Sequence, residues 1–212
     1  MKQGRKIIVY IATSADGFIA RPDGDVGWLN RPRPSDNYEM GAFYNSIDTI
    51  LWGRKTYAPF ASQPKKSKRA VAPPKIKNYV FSHNSPGGEE VPGVEFVNEP
   101  IPTFAQRLRA TPGKDIWMMG GAGIIASFLD EGEIDEFMIH VMPTFIGEGI
   151  PLVAARHREV ELELISVKTW PDGVVRLHYA VLPRKAVADP AKKKPIAKVG
   201  KGARQKAQSG ED

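Results

Sequence analysis

Four small residues, Gly120, Gly121, Ala122 and Gly123, follow a short apolar segment, and apolar residues with helical spacing begin immediately after them. Glycines lack a Cβ atom, so backbone N–H groups converge and an anion approaches them closely. A helix that begins here also directs its unpaired N–H groups and the positive end of its dipole toward the same place. The pattern predicts a phosphate site for a nucleotide or dinucleotide, although such turns also occur with no ligand.

The same stretch matches the dinucleotide fingerprint of Rossmann domains, with Gly121, Gly123 and Ala126 at the required spacing. In a Rossmann domain that fingerprint follows the first strand. Here it comes after more than half of the chain. The motif therefore indicates an anion site in some other α/β fold.

Two further predicted strands end in residues that could contact a phosphate. The strand at 49–52 leads into Gly53, Arg54 and Thr56, and the strand at 78–82 ends at Ser82 and His83. Ligands of open α/β sheets bind beyond the carboxyl ends of the strands. We therefore expect these two loops and the glycine loop to lie on one rim.

Each loop would have a different role on that rim. The glycines would hold a diphosphate, Thr56 would add a hydroxyl group, and the planar guanidinium of Arg54 suits a phosphate monoester such as a ribose 2′-phosphate. Taken singly, Arg54 and Thr56 also fit a solvated surface residue and a helix cap. Their combination with the glycine turn favours the nucleotide site.

Hydrophobic periodicity places these loops in an α/β fold. Strands that alternate with helices and then end in a hairpin, turned at Trp170-Pro171-Asp172-Gly173, predict a mostly parallel central sheet with an antiparallel C-terminal hairpin and flanking helices. The predicted strands are 6–12, 49–52, 78–82, 94–97, 115–119, 136–142, 161–169 and 174–182, and the predicted helices are one capped at Asp36, a short one ending near Pro59, 101–110 and 123–130.

Composition excludes several kinds of chemistry. The chain has no cysteine, so disulfides, thiolate zinc sites and cysteine nucleophiles are ruled out. The four histidines are scattered without metal-ligand spacing, and we expect no metal site. No apolar run is long enough to span a membrane, and the first ten residues do not resemble a signal peptide. We therefore expect a cytoplasmic protein with no membrane partner.

The net charge of +6 comes from one segment. Residues 184–212 contain nine Lys or Arg against three Asp or Glu, so residues 1–183 are neutral overall. This segment has no aromatic residue and cannot bury enough apolar surface to fold. We predict one domain at 1–183 and a disordered basic tail at 184–212. The tail could make weak, unspecific contact with nucleic acid, which would depend steeply on salt, and a functionless tail is the simpler alternative.

The spaced motifs resemble those of dihydrofolate reductase-like folds. The likeness covers about residues 6–182, and the chain looks closest to the group that includes the reductase domain of riboflavin-biosynthesis enzymes and its stand-alone relatives. The motifs are Gly53-Arg54-x-Thr56-Tyr57 after an apolar strand, Ser82 after the next strand, Gly-Gly opening a helix, Ser14-x-Asp16-Gly17-Phe-Ile19-Ala20, and Pro143-Thr-Phe-Ile-Gly147-Glu-Gly149-Ile-Pro151.

This resemblance implies hydride transfer from NADPH to a C=N or C=O bond of a small pteridine-like or aminopyrimidine-like heterocycle. It also implies residue roles: Ala12 and Ile19 line the nicotinamide pocket, Arg54 and Ser82 or His83 contact the adenosine phosphate, Gly120, Gly121, Ala122, Gly123 and Ile124 hold the diphosphate, and Trp28 lies in a loop over the substrate. Relatives often form homodimers, so we expect one here. The alternatives are a nucleotide-binding protein without turnover and a nucleic-acid-associated protein that acts through its basic tail.

The substrate side is less distinctive. In dihydrofolate reductase an acid four residues before an aromatic residue binds and helps to protonate the pterin, and Glu39 before Phe43 has that spacing. Burial would raise the pKa of such an acid. Glu39 also has the capping-box spacing from Asp36. Asp16 is a second candidate catalytic acid, or only a turn residue. Phe43 and His140 are candidate substrate contacts, and His140 could instead be a core histidine.

One departure from the family bears on the substrate. Riboflavin-pathway reductases carry an Asp-Asn-Pro-x-Leu-Thr stretch after the Gly-x-x-Thr loop, with residues that hold a phosphoribosyl group. This chain has Ala58-Pro59-Phe60 followed by a basic, proline-containing segment. The pathway substrate 5-amino-6-(5-phosphoribosylamino)uracil is therefore one candidate among several. The zinc deaminase half of the bifunctional enzyme is absent, because the chain contains no Cys-x-x-Cys.

Overall fold

Strands and helices alternate along the chain up to a final hairpin, as the periodicity predicted. The computed structural model describes residues 4–61, 76–82 and 93–183. In chain order its elements are β1 (Ile7–Thr13), β2 (Phe18–Ala20), α1 (Met40–Ser46), β3 (Ile47–Gly53), α2 (Arg54–Ala61), β4 (Lys77–Phe81), β5 (Val94–Val97), α3 (Ile101–Arg109), β6 (Asp115–Gly120), α4 (Ala122–Asp130), β7 (Glu136–Val141), β8 (Ile150–Pro151), β9 (Leu162–Thr169) and β10 (Val175–Val181). Single turns of 3₁₀ helix lie at Gly27–Leu29 and Asn37–Glu39.

Eight of these strands form one sheet in the order β5, β4, β3, β6, β1, β7, β10 and β9. The first six of them run parallel, and β10 pairs antiparallel with both β7 and β9. The predicted fold class, a mostly parallel sheet with an antiparallel C-terminal hairpin, is confirmed. The carboxyl ends of the parallel strands all meet at one edge, where the polar loops follow them.

Both faces of the central strands are covered, which explains their continuous apolar sequence. On β1, Ile7 and Val9 pack with Phe104 of α3 and Phe128 of α4 in one cluster. The alternate residues of β1 pack with α1 and α2 in a second cluster. The sheet is therefore a rigid middle layer between two helical layers, and it fixes the positions of the loops at its edge.

Two element boundaries differ from the prediction, and two short strands were missed. Asp36 is an N-cap, as predicted, but it caps the 3₁₀ turn at Asn37–Glu39. Helix α1 begins only at Met40, because Asn37, Tyr38 and Glu39 have left-handed φ values of 46°, 58° and 60°. Helix α2 continues past Pro59 to Ala61, since proline removes one N–H donor but keeps a helical φ. Strands β2 and β8, which pair in a small second sheet, were not predicted because segments of two or three residues carry no periodicity.

Some predictions concern residues outside those that the structure describes. They are the disordered tail at 184–212, with its nucleic-acid contact, and the role of His83. These stay predictions. Among the described residues, no helix combines the length and the hydropathy that a membrane crossing requires.

Candidate active site

Three loops meet at the carboxyl edge of β3, β4 and β6, which are neighbours in the sheet. Arg54 follows β3, and its Nη1 atom donates to Oγ of Ser82, which follows β4, at 3.3 Å. A methyl group added to Gly121, which follows β6, would lie 2.9 Å from Thr56 Oγ1 and 3.8 Å from Ile19 Cδ1. The predicted convergence of these loops on one rim is confirmed.

Three glycines at this rim, Gly53, Gly120 and Gly121, are closely packed, whereas a Cβ atom on Gly123 would meet open space. A Cβ atom on Gly53 would lie 3.3 Å from Ile124 Cγ2 and 3.5 Å from both Gly120 O and Gly121 N. Gly120 has a φ of +104°, in the region that favours glycine, and the peptide between Gly120 and Gly121 is cis. The glycines at these positions therefore serve the close approach of two backbone segments as well as access for a ligand.

The N-terminus of α4 is open to an anion. Gly121 is its N-cap, no side chain caps the helix, and no acidic residue lies in its first turn. The first backbone N–H groups of a helix have no partner within it, and the helix dipole makes this end electropositive. Together with the Arg54 guanidinium and the Thr56 hydroxyl, this end of α4 suits a phosphorylated ligand.

A second group of residues forms a row across β1, β7, β10 and β9, which are neighbours in the sheet. Ala12 is level with His140, His140 with Arg176, and Arg176 with Lys168. Glu39, which precedes α1, joins this row: its carboxylate accepts from Lys168 Nζ at 2.6 Å and from Arg176 Nη1 at 2.9 Å. The row therefore ends in a carboxylate held between two cations.

These contacts change the role expected for Glu39. Hydrogen bonds from Lys168 and Arg176, together with their positive charges, hold the pKa of Glu39 below its ordinary value. The expectation of a pKa raised by burial was wrong, because the Glu39 side chain is 38% exposed and paired with cations. Glu39 does not close a capping box either. At neutral pH it is an anion that accepts hydrogen bonds.

Two of the predicted substrate contacts lie beneath the accessible surface. Phe43 stacks on Tyr10 with ring centroids 4.2 Å apart, and His140 lies 4.6 Å from the same ring and 3.3 Å from the Tyr10 hydroxyl. Phe43 is 6% exposed and His140 4%. Both residues pack against Tyr10 beneath the row, where little of their surface is accessible, and their contact with a substrate stays a prediction.

Burial of His140 makes folding stability depend on pH. Desolvation, together with the charge of Arg176, lowers the pKa of His140 from 6.5 to about 4. As the pH falls below 6.5, His140 becomes protonated in the unfolded chain but stays neutral in the folded chain. Folding stability is therefore lost between pH 6.5 and 4. The loss from pH 7.5 to pH 5 should be about 2 kcal/mol.

Urea unfolding at these two pH values measures this contribution. His140→Gln should remove most of the difference, whereas the same change at the exposed His157 should leave it intact. An equal pH dependence in wild type and His140→Gln would show that His140 is not the group responsible.

The second candidate catalytic acid, Asp16, has a structural role in this fold. Its carboxylate accepts from the backbone N–H groups of Gly147 at 2.8 Å and Ile146 at 3.2 Å. A hydrogen bond from Ser14 and these backbone contacts hold the pKa of Asp16 below its ordinary value. Asp16 therefore ties the turn after β1 to the loop after β7, and its role as a catalytic acid stays a prediction.

Trp28 lies in the 3₁₀ turn that covers this part of the rim. It packs, with Ala12, against a cluster that includes Tyr38 and Trp170. Among the described residues, three buried side-chain nitrogens lack a hydrogen-bond partner: Trp28 Nε1, Arg109 Nε and Arg176 Nε. Two of these three donors, Trp28 Nε1 and Arg176 Nε, belong to the site.

Sequence reasoning missed Lys168 and Arg176. They lie 129 and 137 positions after Glu39. The sequence of a strand does not show whether a basic residue on it forms an ion pair at the site or is a solvated surface charge. The register of β10 on β7 was the missing information, because it places Arg176 beside His140.

Comparisons with known proteins agree with this geometry. The family model of the RibD C-terminal domain matches residues 5–176. The uncharacterized protein YwjB of Bacillus subtilis (strain 168) is 38% identical over 176 residues, which are 82% of this chain and 97% of that protein. A solved protein of Shewanella sp. PV-4, named for riboflavin biosynthesis, superposes with a TM-score of 0.72 at 25% identity and covers 84% of this chain and 99% of its own.

The fold extends to a more distant enzyme. Dihydrofolate reductase of Enterococcus faecalis, solved with NADP(H) and RAB-propyl, superposes with a TM-score of 0.58 at 13% identity, over 83% of this chain and 96% of that one. At this identity the likeness shows the fold alone. The resemblance to dihydrofolate reductase-like folds is confirmed.

Proposed function

The chain belongs to the RibD C-terminal domain family, and from this premise we propose that it is an NADPH-dependent reductase of a small heterocycle. The observation that carries the proposal is the convergence of Arg54, Ser82, Thr56 and Gly121 beside the uncapped end of α4. An electropositive helix end and a separate guanidinium suit the two kinds of phosphate group in NADPH. Related folds include a dihydrofolate reductase solved with NADP(H).

In this proposal different rim residues bind different parts of the cofactor. The backbone at Gly120, Gly121, Ala122, Gly123 and Ile124 holds the diphosphate, and Thr56 adds a hydroxyl group. Arg54 and Ser82 hold the ribose 2′-phosphate. Ala12 and Ile19 line the nicotinamide pocket, which is supported by the position of Ile19 beside Gly121. The cofactor supplies a hydride to the carbon of a C=N or C=O bond when it is bound.

The second group of residues binds the substrate in this proposal. Glu39 is ionised, so it accepts hydrogen bonds from N–H groups of an aminopyrimidine-like or pteridine-like ring and does not donate a proton. Trp28 Nε1, a buried donor with no partner among the described residues, pairs with a carbonyl oxygen of the same ring. The proton that balances the hydride comes from solvent, since Asp16, Glu39 and His140 all favour their deprotonated forms at neutral pH.

The test is NADPH oxidation followed with a panel of dihydrofolate, other reducible pterins and aminopyrimidine ribosyl or ribityl phosphates. The proposal expects oxidation with at least one compound, and tighter binding of NADPH than of NADH. Tight NADPH binding with no oxidation across the panel would favour the alternative, a nucleotide-binding protein without turnover. Equal, weak affinity for both cofactors would contradict the proposal.

We also propose that two copies of the chain pair through β9. This strand lies at the edge of the sheet, and Leu162, Leu164, Ile165 and Val167 on it are 42–53% exposed. A free edge strand pairs readily with a second copy of itself, and a twofold axis would cover these apolar side chains on both copies.

Light scattering on the intact protein should then give the mass of a dimer. The double change Leu164→Lys and Val167→Lys should give a monomer, whereas Val26→Lys, at another exposed apolar position, should not. A monomeric wild-type protein would contradict the assembly without bearing on the reductase.

A further inference from the structure

An unusual backbone segment presents Glu39 to the site. Asn37, Tyr38 and Glu39 are three consecutive non-glycine residues with φ values between 46° and 60°. Side chains of L-amino acids rarely adopt this region, and such residues persist only where surrounding contacts hold them. The segment therefore requires an external support.

The turn between β9 and β10 supplies that support. The Tyr38 hydroxyl donates to Asp172 Oδ2 at 2.6 Å, and Trp170 Nε1 donates to both oxygens of Asp36 at 3.0 and 3.1 Å. Asp36 also accepts from the backbone N–H of Tyr38 at 3.1 Å. Tyr38 and Trp170 are buried against each other, edge to face, with ring centroids 5.4 Å apart.

The central sheet also contacts the segment of residues 36–39. The Tyr10 hydroxyl, on β1, donates to the backbone carbonyl of Tyr38 at 3.1 Å. Asp172 is itself fixed, because Arg31 donates to its carbonyl oxygen at 2.7 Å and the N–H of Val174 donates to its carboxylate at 3.3 Å. Tyr38 is therefore bonded through its backbone to the sheet and through its side chain to the hairpin turn.

The same hairpin also provides the cations that pair with Glu39. Lys168 is on β9 and Arg176 is on β10, on either side of the turn that holds Tyr38. If the turn shifted relative to residues 36–39, the backbone at Glu39 would lose its support. The two cations that pair with Glu39 would move at the same time.

We propose that Tyr38 and Asp172 are positioning residues for Glu39: their hydrogen bond keeps residues 37–39 left-handed and so keeps the Glu39 carboxylate between Lys168 and Arg176, facing the substrate. The placement of the carboxylate follows from the contacts within the chain. Its effect on the substrate rests on the proposed reductase function.

Tyr38→Phe tests the proposal, because it removes the hydroxyl and keeps the buried ring. The first readout is the pH titration of the Glu39 side-chain carboxyl by ¹³C NMR, with no cofactor or substrate present. Loss of the hydrogen bond should release Glu39 from Lys168 and move its titration toward higher pH. The second readout is steady-state kinetics with any compound reduced in the panel: KM for that compound should rise about tenfold, while the Kd for NADPH stays unchanged.

Tyr44→Phe on α1 is the matched control. Tyr44 lies edge-on to Trp117 at 5.5 Å and has no contact with the hairpin turn in the described structure. It should leave the Glu39 titration and KM as in wild type. Asp172→Ala provides a second variant in case Tyr38→Phe is poorly folded. It also removes the contact with the Val174 N–H. Because both changes remove the Tyr38–Asp172 hydrogen bond, the double variant Tyr38→Phe/Asp172→Ala should shift the Glu39 titration no further than Asp172→Ala alone.

An unchanged Glu39 titration in folded Tyr38→Phe or Asp172→Ala would overturn the proposal. Because that titration needs no turnover, it separates the two hypotheses. A shifted titration in a protein that reduces nothing supports the positioning role and counts against the reductase. An unshifted titration in an active reductase does the reverse.

Discussion

Replacement of Arg54 by alanine is expected to remove most of the preference for NADPH over NADH. The Arg54 guanidinium lies at the rim of the sheet beside Ser82, where a ribose 2′-phosphate would receive a charge-assisted hydrogen bond. Such a bond contributes about 1.5–3 kcal/mol, so the Kd for NADPH should rise roughly tenfold or more. NADH lacks the 2′-phosphate, and its Kd should hardly change.

Fluorescence titration of both cofactors measures the effect. Arg54→Lys should give an intermediate preference, because an ammonium keeps the charge but not the planar fork. Arg107→Ala is the matched control, since Arg107 lies on α3 and pairs with Glu99 at 2.5 Å. A preference for NADPH that survives Arg54→Ala would assign the 2′-phosphate to other residues.

A methyl group at Gly121 is expected to weaken NADPH binding at least tenfold. The added Cβ atom would lie 2.9 Å from Thr56 Oγ1, closer than real Cβ contacts, so the Thr56 side chain, the glycine loop or α2 must shift. Overpacking of this kind costs about 1–3 kcal/mol, and the methyl group also stands where a diphosphate would approach the backbone. Gly121→Ala should therefore lower both the melting temperature and the affinity.

Two further variants separate these causes. Gly41→Ala, in α1, adds a methyl group into open space and should preserve both stability and NADPH affinity. Gly121→Ala combined with Thr56→Ala removes the atom that the methyl group meets, so the melting temperature should recover while the affinity stays low. Full recovery of NADPH affinity in the double variant would contradict close approach of a phosphate at Gly121.

Local sequence predicted the glycine turn and the polar strand ends at the rim well. A strand, a glycine turn and a helix are consecutive in sequence, so the chemistry at Gly120 to Gly123 is encoded within a few residues. The loops at Arg54 and Ser82 could be added because parallel strands share a carboxyl edge whatever their order. The sequence could not show that Arg54 and Ser82 are bonded to each other, which depends on β3 and β4 being neighbours.

The row of residues that ends in Glu39 was predicted less well because its contacts are distant in sequence. The spacing of Glu39 and Phe43 indicated an acid and an aromatic residue on one helix. In the structure the helix begins at Met40, so Glu39 lies before it and contacts the hairpin, and Phe43 is buried. The pKa of an acid depends on its neighbours in space, and here Lys168 and Arg176 reverse the direction that burial alone would have given.

The amino-acid sequence by itself determined the alternation of strands and helices, the glycine turn and the polar ends of the strands, because these depend on side-chain periodicity and on backbone freedom over short segments. Only the tertiary structure decided the direction in which the pKa of Glu39 shifts, which aromatic residues are buried and which hydrogen bonds hold residues 37–39 left-handed. Those properties arise from contacts across β7, β10 and β9, and the register of one strand on another is not encoded in either strand alone.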